Sequence, residues 1–237
     1  MPTSSQPVAE TEQARRERLR RLLAMAGVAV LMLVIVGGAV GYAAWKRARD
    51  DHRLEQHVAA LGTSEYGVAR GPRDARHQVI VYEDFLCPYC GQLERGSAAE
   101  LTKLAAAGTV RVQYRPFDLL SHGLGTDYPI RAAGAFSIVL QKAGPRVALR
   151  FHDLLYAHQP DEKGPYPSDD DLVRYAVEAG AKESEVKGPI DAGAGAAWVT
   201  AATKQADGAG VSSTPTILVD GKVLGGTSAD DLLKAVR

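Results

Sequence analysis

Hydrophobic residues are distributed unevenly along the chain. Residues 22–45 are 24 consecutive positions without a charged side chain, and five arginines crowd the polar segment 1–21 before them. At about 1.5 Å per residue, a helix over this run is roughly 36 Å long, which exceeds the roughly 30 Å hydrocarbon core of a bilayer. The pattern predicts one transmembrane helix over 22–45, preceded by a cytoplasmic segment over 1–21.

A cleaved signal peptide is the alternative for this run, because Ala39-Val40-Gly41 offers a small-residue cleavage site. The apolar region of a signal peptide usually covers only about 7 to 15 residues, which favours the uncleaved helix. Basic residues flank both ends of the run, so charge is a weak guide to orientation, but long domains translocate largely regardless of charge. We expect a single-pass protein of the plasma membrane whose C-terminal domain lies outside the cytoplasm, where disulfides persist.

The segment after the apolar run has two parts. Up to residue 61, hydrophobic positions recur at helical spacing, and from there to residue 77 glycine, proline and charged residues show no period. Residues 46–77 are therefore predicted to be a stalk and linker, and the folded domain is predicted over 78–237.

The first part of this domain alternates between strand and helix patterns. Residues 79–82 and 110–114 read as strands, and residues 91–107, followed by Gly108, read as a helix. A strand, helix and strand of these lengths form a βαβ unit, whose crossover makes the two strands parallel.

The rest of the domain predicts helices first and then a hairpin. Helices are expected over 130–142, 146–158, 170–179 and 183–207, two strands over 216–219 and 222–224 about an Asp220-Gly221 turn, and a closing helix over 228–236. The predicted fold class is α/β: a βαβ half and a ββα half, with a helical domain inserted over about 120–207.

Composition narrows the functional classes. Hydrophobic residues make up 46% of the chain, enough for a substantial core, and Lys plus Arg equals Asp plus Glu at 28 each. No global charge therefore favours nucleic acid as a partner.

The only two cysteines of the chain, Cys87 and Cys90, are separated by Pro88 and Tyr89 and follow the first predicted strand. At the start of a helix, the first sulfur faces unpaired N–H groups and the positive end of the helix dipole, which lowers the pKa of Cys87. Pro88 suits the first helical turn, and Tyr89 projects where it can modulate access to the sulfur. The pair predicts a redox centre in which Cys87 attacks and Cys90 resolves.

Zinc is the alternative use of such a pair, but a zinc site needs two further thiol or imidazole ligands. The chain has no second CxxC, and its six histidines show no ligand-like pairing. A copper-carrying role is a further alternative, without a Met-rich or His-rich tract to support it. We predict no metal and no cofactor.

A second motif gives the chain a family resemblance. The run 85–91, FLCPYCG, is followed about 120 residues later by the run 210–216, GVSSTPT, and then by the predicted hairpin. This combination resembles the DsbA-like branch of the thioredoxin superfamily over roughly 78–237. The resemblance implies a thioredoxin fold with an inserted helical domain and a cis Thr214–Pro215 bond, whose loop packs against the CxxC and binds an extended substrate segment through the backbone of Thr214.

The resemblance also implies an activity, which is thiol–disulfide exchange with secreted proteins that contain cysteines, followed by reoxidation through a membrane partner, for which a quinone-linked enzyme is the candidate. A reductase or isomerase for particular clients, and a noncatalytic peptide-binding or metallochaperone module, are the alternatives. The Pro-Tyr dipeptide departs from the Pro-His of strong oxidases in this family. The buried acid of the relatives has only Glu83 as a candidate, and the local sequence favours an exposed loop acid at that position.

Overall fold

The computed structural model describes residues 8–61 and 65–237. These residues divide into two units, the first ending at Asp50 and the second starting at Asp51. The described residues of the first unit belong to helix α1, which runs from Val8 to Leu61 without a break. The apolar stretch reaches a mean hydropathy of 2.6 with no part buried, so this helix is long and apolar enough to span a membrane.

The second unit is built on one mixed sheet. Its strands are β1 Val68–Arg70, β2 His77–Glu83, β3 Val110–Pro116, β4 Thr216–Val219 and β5 Lys222–Val223, in the order β1-β3-β2-β4-β5. Strands β2 and β3 are parallel, and the other neighbours are antiparallel. All the strands predicted within 78–237 are present.

Strand β1 lies in the segment that the sequence predicted as a linker. Val68 pairs with Tyr114 of β3 and is buried. A strand of three residues is too short to show an alternation of hydrophobic and polar positions, so the sequence pattern did not predict β1. Leu54, in the predicted stalk, is also buried in a hydrophobic cluster of this unit, and the carboxylate of Glu55 accepts a hydrogen bond from the backbone N–H of Val223 at 3.0 Å.

Helices α2 Pro88–Ala106 and α9 Ala229–Ala235 pack against each other beside the sheet. Between β3 and β4 the chain forms α3 Ser121–Leu124, α4 Tyr128–Ala143, α5 Pro145–Ala157, α6 Asp169–Ala179, α7 Glu183–Asp191 and α8 Ala196–Ala209. The short α3 was not predicted. A capping box at Ser228 starts α9, at the first residue of the predicted closing helix.

The single helix expected over 183–207 is wrong, because the chain forms α7 and α8 instead. Gly193 has a φ of 60°, which ends the regular helical path, and Gly195 begins α8. A Cβ at Gly195 would collide with the backbone of Gly134 in α4. Gly195 therefore allows α4 and α8 to pack closely. The sequence alone did not show that this position requires a glycine.

Candidate active site

The two cysteines lie where the central strand passes into its crossover helix. Cys87 is the N-cap of α2 with extended backbone angles, Pro88 begins the helix, and Cys90 lies in its first turn. The N–H of Cys87 donates to the carbonyl oxygen of Asp84 at 3.0 Å, which fixes the turn between β2 and α2. Both thiols are free, and the two cysteines are 3.5 Å apart, close enough to form a disulfide after a small movement.

The environment separates the acidities of the two thiols. The largest cause of the shift at Cys87 is a hydrogen bond from Cys90, which lowers the pKa of Cys87 to about 6 against the effect of burial, with help from the backbone N–H groups of Tyr89 and Cys90. At Cys90, burial raises the pKa well above its usual value, and the charges of Cys87 and Glu83 raise it further. At neutral pH the first sulfur is a thiolate and the second a thiol.

The loop before β4 lies beside the first sulfur. The Thr214–Pro215 bond is cis, and the Sγ of Cys87, when protonated, donates to the carbonyl oxygen of Thr214 at 3.4 Å. Pro215 is buried and Thr214 is half-buried. Tyr89 is 64% exposed at the rim. The fold thus brings the two sequence motifs together, although about 120 residues separate them.

Asp84 ties this turn to the loop after β3. Its carboxylate is buried and accepts hydrogen bonds from the N–H groups of Leu86, Leu119 and Leu120 at 2.8, 2.9 and 3.0 Å. Burial raises the pKa of Asp84 to about 6, although the three donors act in the opposite direction. The residue therefore connects the start of the helical insertion to the CxxC turn.

Gln159, just after α5, holds the same turn from the other side. Its side-chain amide donates to the carbonyl oxygens of Phe85 and Cys87 at 3.1 and 2.8 Å. A Cβ at Gly91 would collide with this side chain. The glycine after the second cysteine thus leaves room for a side chain that positions the first.

We expect Gln159→Ala to destabilise the protein by about 1 to 3 kcal/mol, because the carbonyl groups of Phe85 and Cys87 each lose a hydrogen bond, although the carbonyl of Cys87 keeps the bond from the N–H of Gly91. Chemical denaturation of the reduced protein measures this change. Gln92→Ala is the matched control, since Gln92 is exposed on α2 and should change stability by less than about 0.5 kcal/mol. Equal effects of the two substitutions would show that Gln159 does not hold the turn.

Glu83 lies at the end of β2 and is fully buried, so the interpretation of an exposed loop acid is wrong. Its Oε1 accepts a hydrogen bond from Nε2 of His152 at 2.7 Å. Glu94, one turn after Cys90 on α2, is 4% exposed. One side-chain atom each of Glu83, Glu94 and His152 lies within 4.8 Å of the others. A compact acid–base cluster therefore lies in the core near Cys90.

This cluster is where a metal would have to be considered within the described residues. The Nε2 of His152 is already in direct hydrogen-bond contact with Glu83, and each of the three side chains is nearly or fully buried. An entering ion would have to break that contact and lose its water in a buried site.

The sequence pattern did not identify three of the side chains around the cysteines. Glu94 carried a signal, because positions four apart on a helix share a face and Glu94 follows Cys90 by four. No local pattern indicated His152 or Gln159. His152 lies in α5 and Gln159 follows that helix, and only the tertiary fold brings them to β2 and α2.

A helix that begins with two free cysteines of unlike acidity, beside a cis-proline loop in a thioredoxin fold, defines the class of thiol–disulfide oxidoreductases. The family model described as thioredoxin matches residues 63–237. The chain belongs to this family, and it is a DsbA-like member whose N-terminal helix fits membrane anchoring.

Solved structures agree with this assignment. The chain is 26% identical to the disulfide bond oxidoreductase DsbG of Mycobacterium tuberculosis in its reduced form, with 76% of this chain and 90% of that chain covered and a TM-score of 0.65. It is 28% identical to oxidised DsbA of the same organism, with 72% and 90% covered and a TM-score of 0.61. BdbD of Bacillus subtilis, at 22% identity and a TM-score of 0.64, shares the fold.

Among curated proteins, a match of 35% identity over 153 residues links the chain to the Na⁺/H⁺ antiporter NhaA 3 of Salinispora tropica. NhaA 1 of Salinispora arenicola matches at 32% over 154 residues. Each match covers 65% of this chain and 21% of the relative, so the chain spans about a fifth of the length of these proteins.

Proposed function

We propose that this protein is an extracytoplasmic disulfide donor that transfers its Cys87–Cys90 disulfide to secreted proteins. The observation that carries the proposal is the unlike acidity of the two sulfurs, with the pKa of Cys87 lowered to about 6 and that of Cys90 raised. A thiol of low pKa is a good leaving group, and a stabilised reduced form makes a dithiol pair a strong oxidant.

The exchange proceeds in two displacements. A substrate thiolate attacks the sulfur of Cys87, a mixed disulfide forms, and Cys90 leaves with the electron pair of the broken bond. A second substrate thiolate then attacks the substrate sulfur, and Cys87 leaves as a thiolate. The substrate is oxidised by two electrons and the CxxC pair is reduced by two.

The loop beside Cys87 supports a peptide as the substrate. Thr214 lies against the sulfur through its carbonyl group, and its backbone is suited to pair with an extended segment, as an added strand does. The exposed ring of Tyr89 offers an apolar surface at the rim. We propose Thr214 and Pro215 as substrate-binding residues, with unfolded or folding cysteine-containing proteins as partners.

Helix α1 supports a membrane location. A helix that exposes an apolar surface of this length is stable in a lipid environment, and disulfides persist outside the cytoplasm. We propose a single-pass protein of the plasma membrane with the catalytic domain on the extracytoplasmic side. Reduced protein then requires a membrane reoxidase, for which a quinone-linked enzyme is our candidate.

The test is the redox equilibrium of the full-length protein in detergent against graded glutathione, with Cys87 and Cys90 read by alkylation after an acid quench and unfolding. We expect a potential well above the cytosolic glutathione value of about −220 to −260 mV. A potential near thioredoxin's, about −270 mV, would contradict the oxidase and indicate a reductase or isomerase. Stoichiometric copper retention by reduced protein, without any exchange, would indicate a metallochaperone.

A further inference from the structure

The buried cluster beneath Cys90 contains two carboxyl groups, those of Glu83 and Glu94, whereas a single acid would be enough to exchange a proton with the thiol. Glu94 is 4% exposed, and neither of its carboxylate oxygens has a hydrogen-bond partner. The Oε2 of Glu83 also lacks a partner, while its Oε1 accepts from His152. If both glutamates were ionised, three buried carboxylate oxygens would lack a hydrogen-bond partner, which is costly in free energy. Binding one proton in the cluster removes one of these charges.

The cluster continues to the surface on one side. Nδ1 of His152 lies 3.3 Å from Oδ1 of Asp153, and Asp153 pairs with Nη2 of Arg70 at 2.9 and 3.0 Å. The side chain of Asp153 is 41% exposed. A continuous set of polar contacts therefore runs from Glu83 at the core, through His152, to a carboxylate in contact with water.

The charge balance of the cluster indicates which side chain holds the proton. If Glu83, Glu94 and Asp153 were all ionised, three negative charges would face the two positive charges of His152 and Arg70. One proton on a glutamate balances the set. Glu83 is hydrogen-bonded to His152 as an acceptor, whereas Glu94 has no such donor, so Glu94 is the group that holds the proton.

The pKa values of Glu94 and His152 agree with a proton on Glu94. Burial raises the pKa of Glu94 to about 8, against the opposing charges of His152 and Arg70. Burial alone would lower the pKa of His152, but Glu83 and Asp153 outweigh it and raise that pKa to about 10. The other titratable groups that face Glu94 from neighbouring elements are Tyr114 of β3 and Tyr156 of α5. The charged residues of α9, which packs on α2, are exposed: Asp230, Asp231 and Lys234.

We propose that Glu83, Glu94 and His152 form one proton-sharing site beneath Cys90, in which Glu94 stores the proton that Cys90 needs when it leaves as a thiolate, and Asp153 restores it from solvent. The resemblance implies a buried acid only at Glu83. The proton held on Glu94 and the proton route through His152 and Asp153 of the helical insertion go beyond what the resemblance implies. The inference rests on the proposed disulfide exchange.

The transfer delivers one proton to Cys90. When a substrate thiolate attacks Cys87, the electron pair of the broken bond stays on the sulfur of Cys90. Glu94 gives up its proton, Glu83 passes a proton on, and Cys90 becomes a thiol while Glu94 becomes a carboxylate. Water at Asp153 then supplies one proton to the cluster, so the net change is one proton from solvent bound at Cys90.

Infrared difference spectra of the full-length protein, oxidised minus reduced at pH 7, test the store directly. We expect a protonated-carboxyl band that responds to the redox state in the wild type and is absent in Glu94→Gln, whose side chain keeps nearly the same shape. Glu100→Gln, on the same helix but in an ion pair with Lys103 at the surface, should keep the band. Persistence of the band in Glu94→Gln would overturn the assignment.

The rate of exchange with a low-pKa model thiol, followed from pH 6 to 10, tests the function of the store. We expect the wild-type rate to fall by up to about tenfold per pH unit above pH 8, as Glu94 loses its proton, and Glu94→Gln to lose this dependence. Asp153→Asn should keep the infrared band but slow reprotonation. If the wild type exchanges disulfides and both variants follow its pH profile, the proton site is wrong while the proposed function stands. Absence of exchange in the wild type would instead contradict the proposed function.

Discussion

Cys87→Ser is expected to abolish disulfide exchange, and Cys90→Ser is expected to accumulate covalent mixed disulfides with substrate. The first substitution removes the sulfur that a substrate attacks. The second keeps that sulfur, with its backbone donors at the start of α2, and removes the thiol that would release a substrate that Cys87 has captured by attacking a substrate disulfide. Each variant is incubated with an unfolded secreted protein that contains mispaired disulfides, so that Cys87 attacks a substrate disulfide and one substrate sulfur leaves as a thiolate. Nonreducing electrophoresis with mass spectrometry of the trapped species measures both effects.

The control for this pair is Ser184→Ala, an exposed position on α7, which should leave exchange unchanged. Thermal unfolding of each variant shows whether loss of activity is loss of fold. Normal turnover by a folded Cys87→Ser protein would contradict the assignment of the nucleophile. Trapping by Cys87→Ser in place of Cys90→Ser would reverse the two roles.

Alkylation of the reduced protein is expected to show one reactive thiol with a midpoint near pH 6. The pKa of Cys87 is lowered from 9.0 to about 6, so well below pH 6 its thiolate fraction exceeds that of an ordinary thiol by about 10³-fold. Cys90 should stay unmodified, because it is fully buried and its pKa is raised. Rates of iodoacetamide labelling from pH 4 to 9, with the modified peptide identified by mass, give the profile.

Cys90→Ala is the informative variant for this profile, since the hydrogen bond from Cys90 is the largest cause of the low pKa. We expect its midpoint to move upward, and an unchanged midpoint would show that the backbone donors dominate. Stability should follow the same titration. Because the folded-state pKa is depressed, the thiolate stabilises the reduced protein fully above about pH 9, and this stabilisation is lost as the pH falls through 6.

The sequence was informative where a pattern is local. The period of two at 110–114, the glycine after 91–107 and the Asp220-Gly221 turn each located their element. The CxxC and the TP dipeptide are local as well, but their contact between Cys87 and Thr214 came only from the family resemblance. A strand of three residues such as β1 and the break between α7 and α8 depend on tertiary pairing and packing, so no local pattern predicted them.

The same distinction explains the result at Glu83. An acidic residue directly after an apolar strand is usually solvated, and the chain near it gives no reason for burial. The reason is His152, which lies 69 positions later and donates a hydrogen bond to it. Electrostatic partners that are distant in sequence are set by the fold, and so the acid–base cluster could not be inferred before the helices were placed.

Helix α5 and the residue just after its end have a consequence for how this domain can be divided. His152 and Gln159 belong to the inserted segment, yet they contact Glu83 and the backbone of Cys87 in the thioredoxin core. A shortened protein that joined β3 directly to β4 would retain both cysteines and the proline loop but would leave an unpaired acid beneath them. The insertion is therefore part of the redox centre, and grafting the CxxC segment onto a smaller thioredoxin scaffold should transfer neither the hydrogen-bond partner of Glu83 nor the Gln159 amide that holds the CxxC turn.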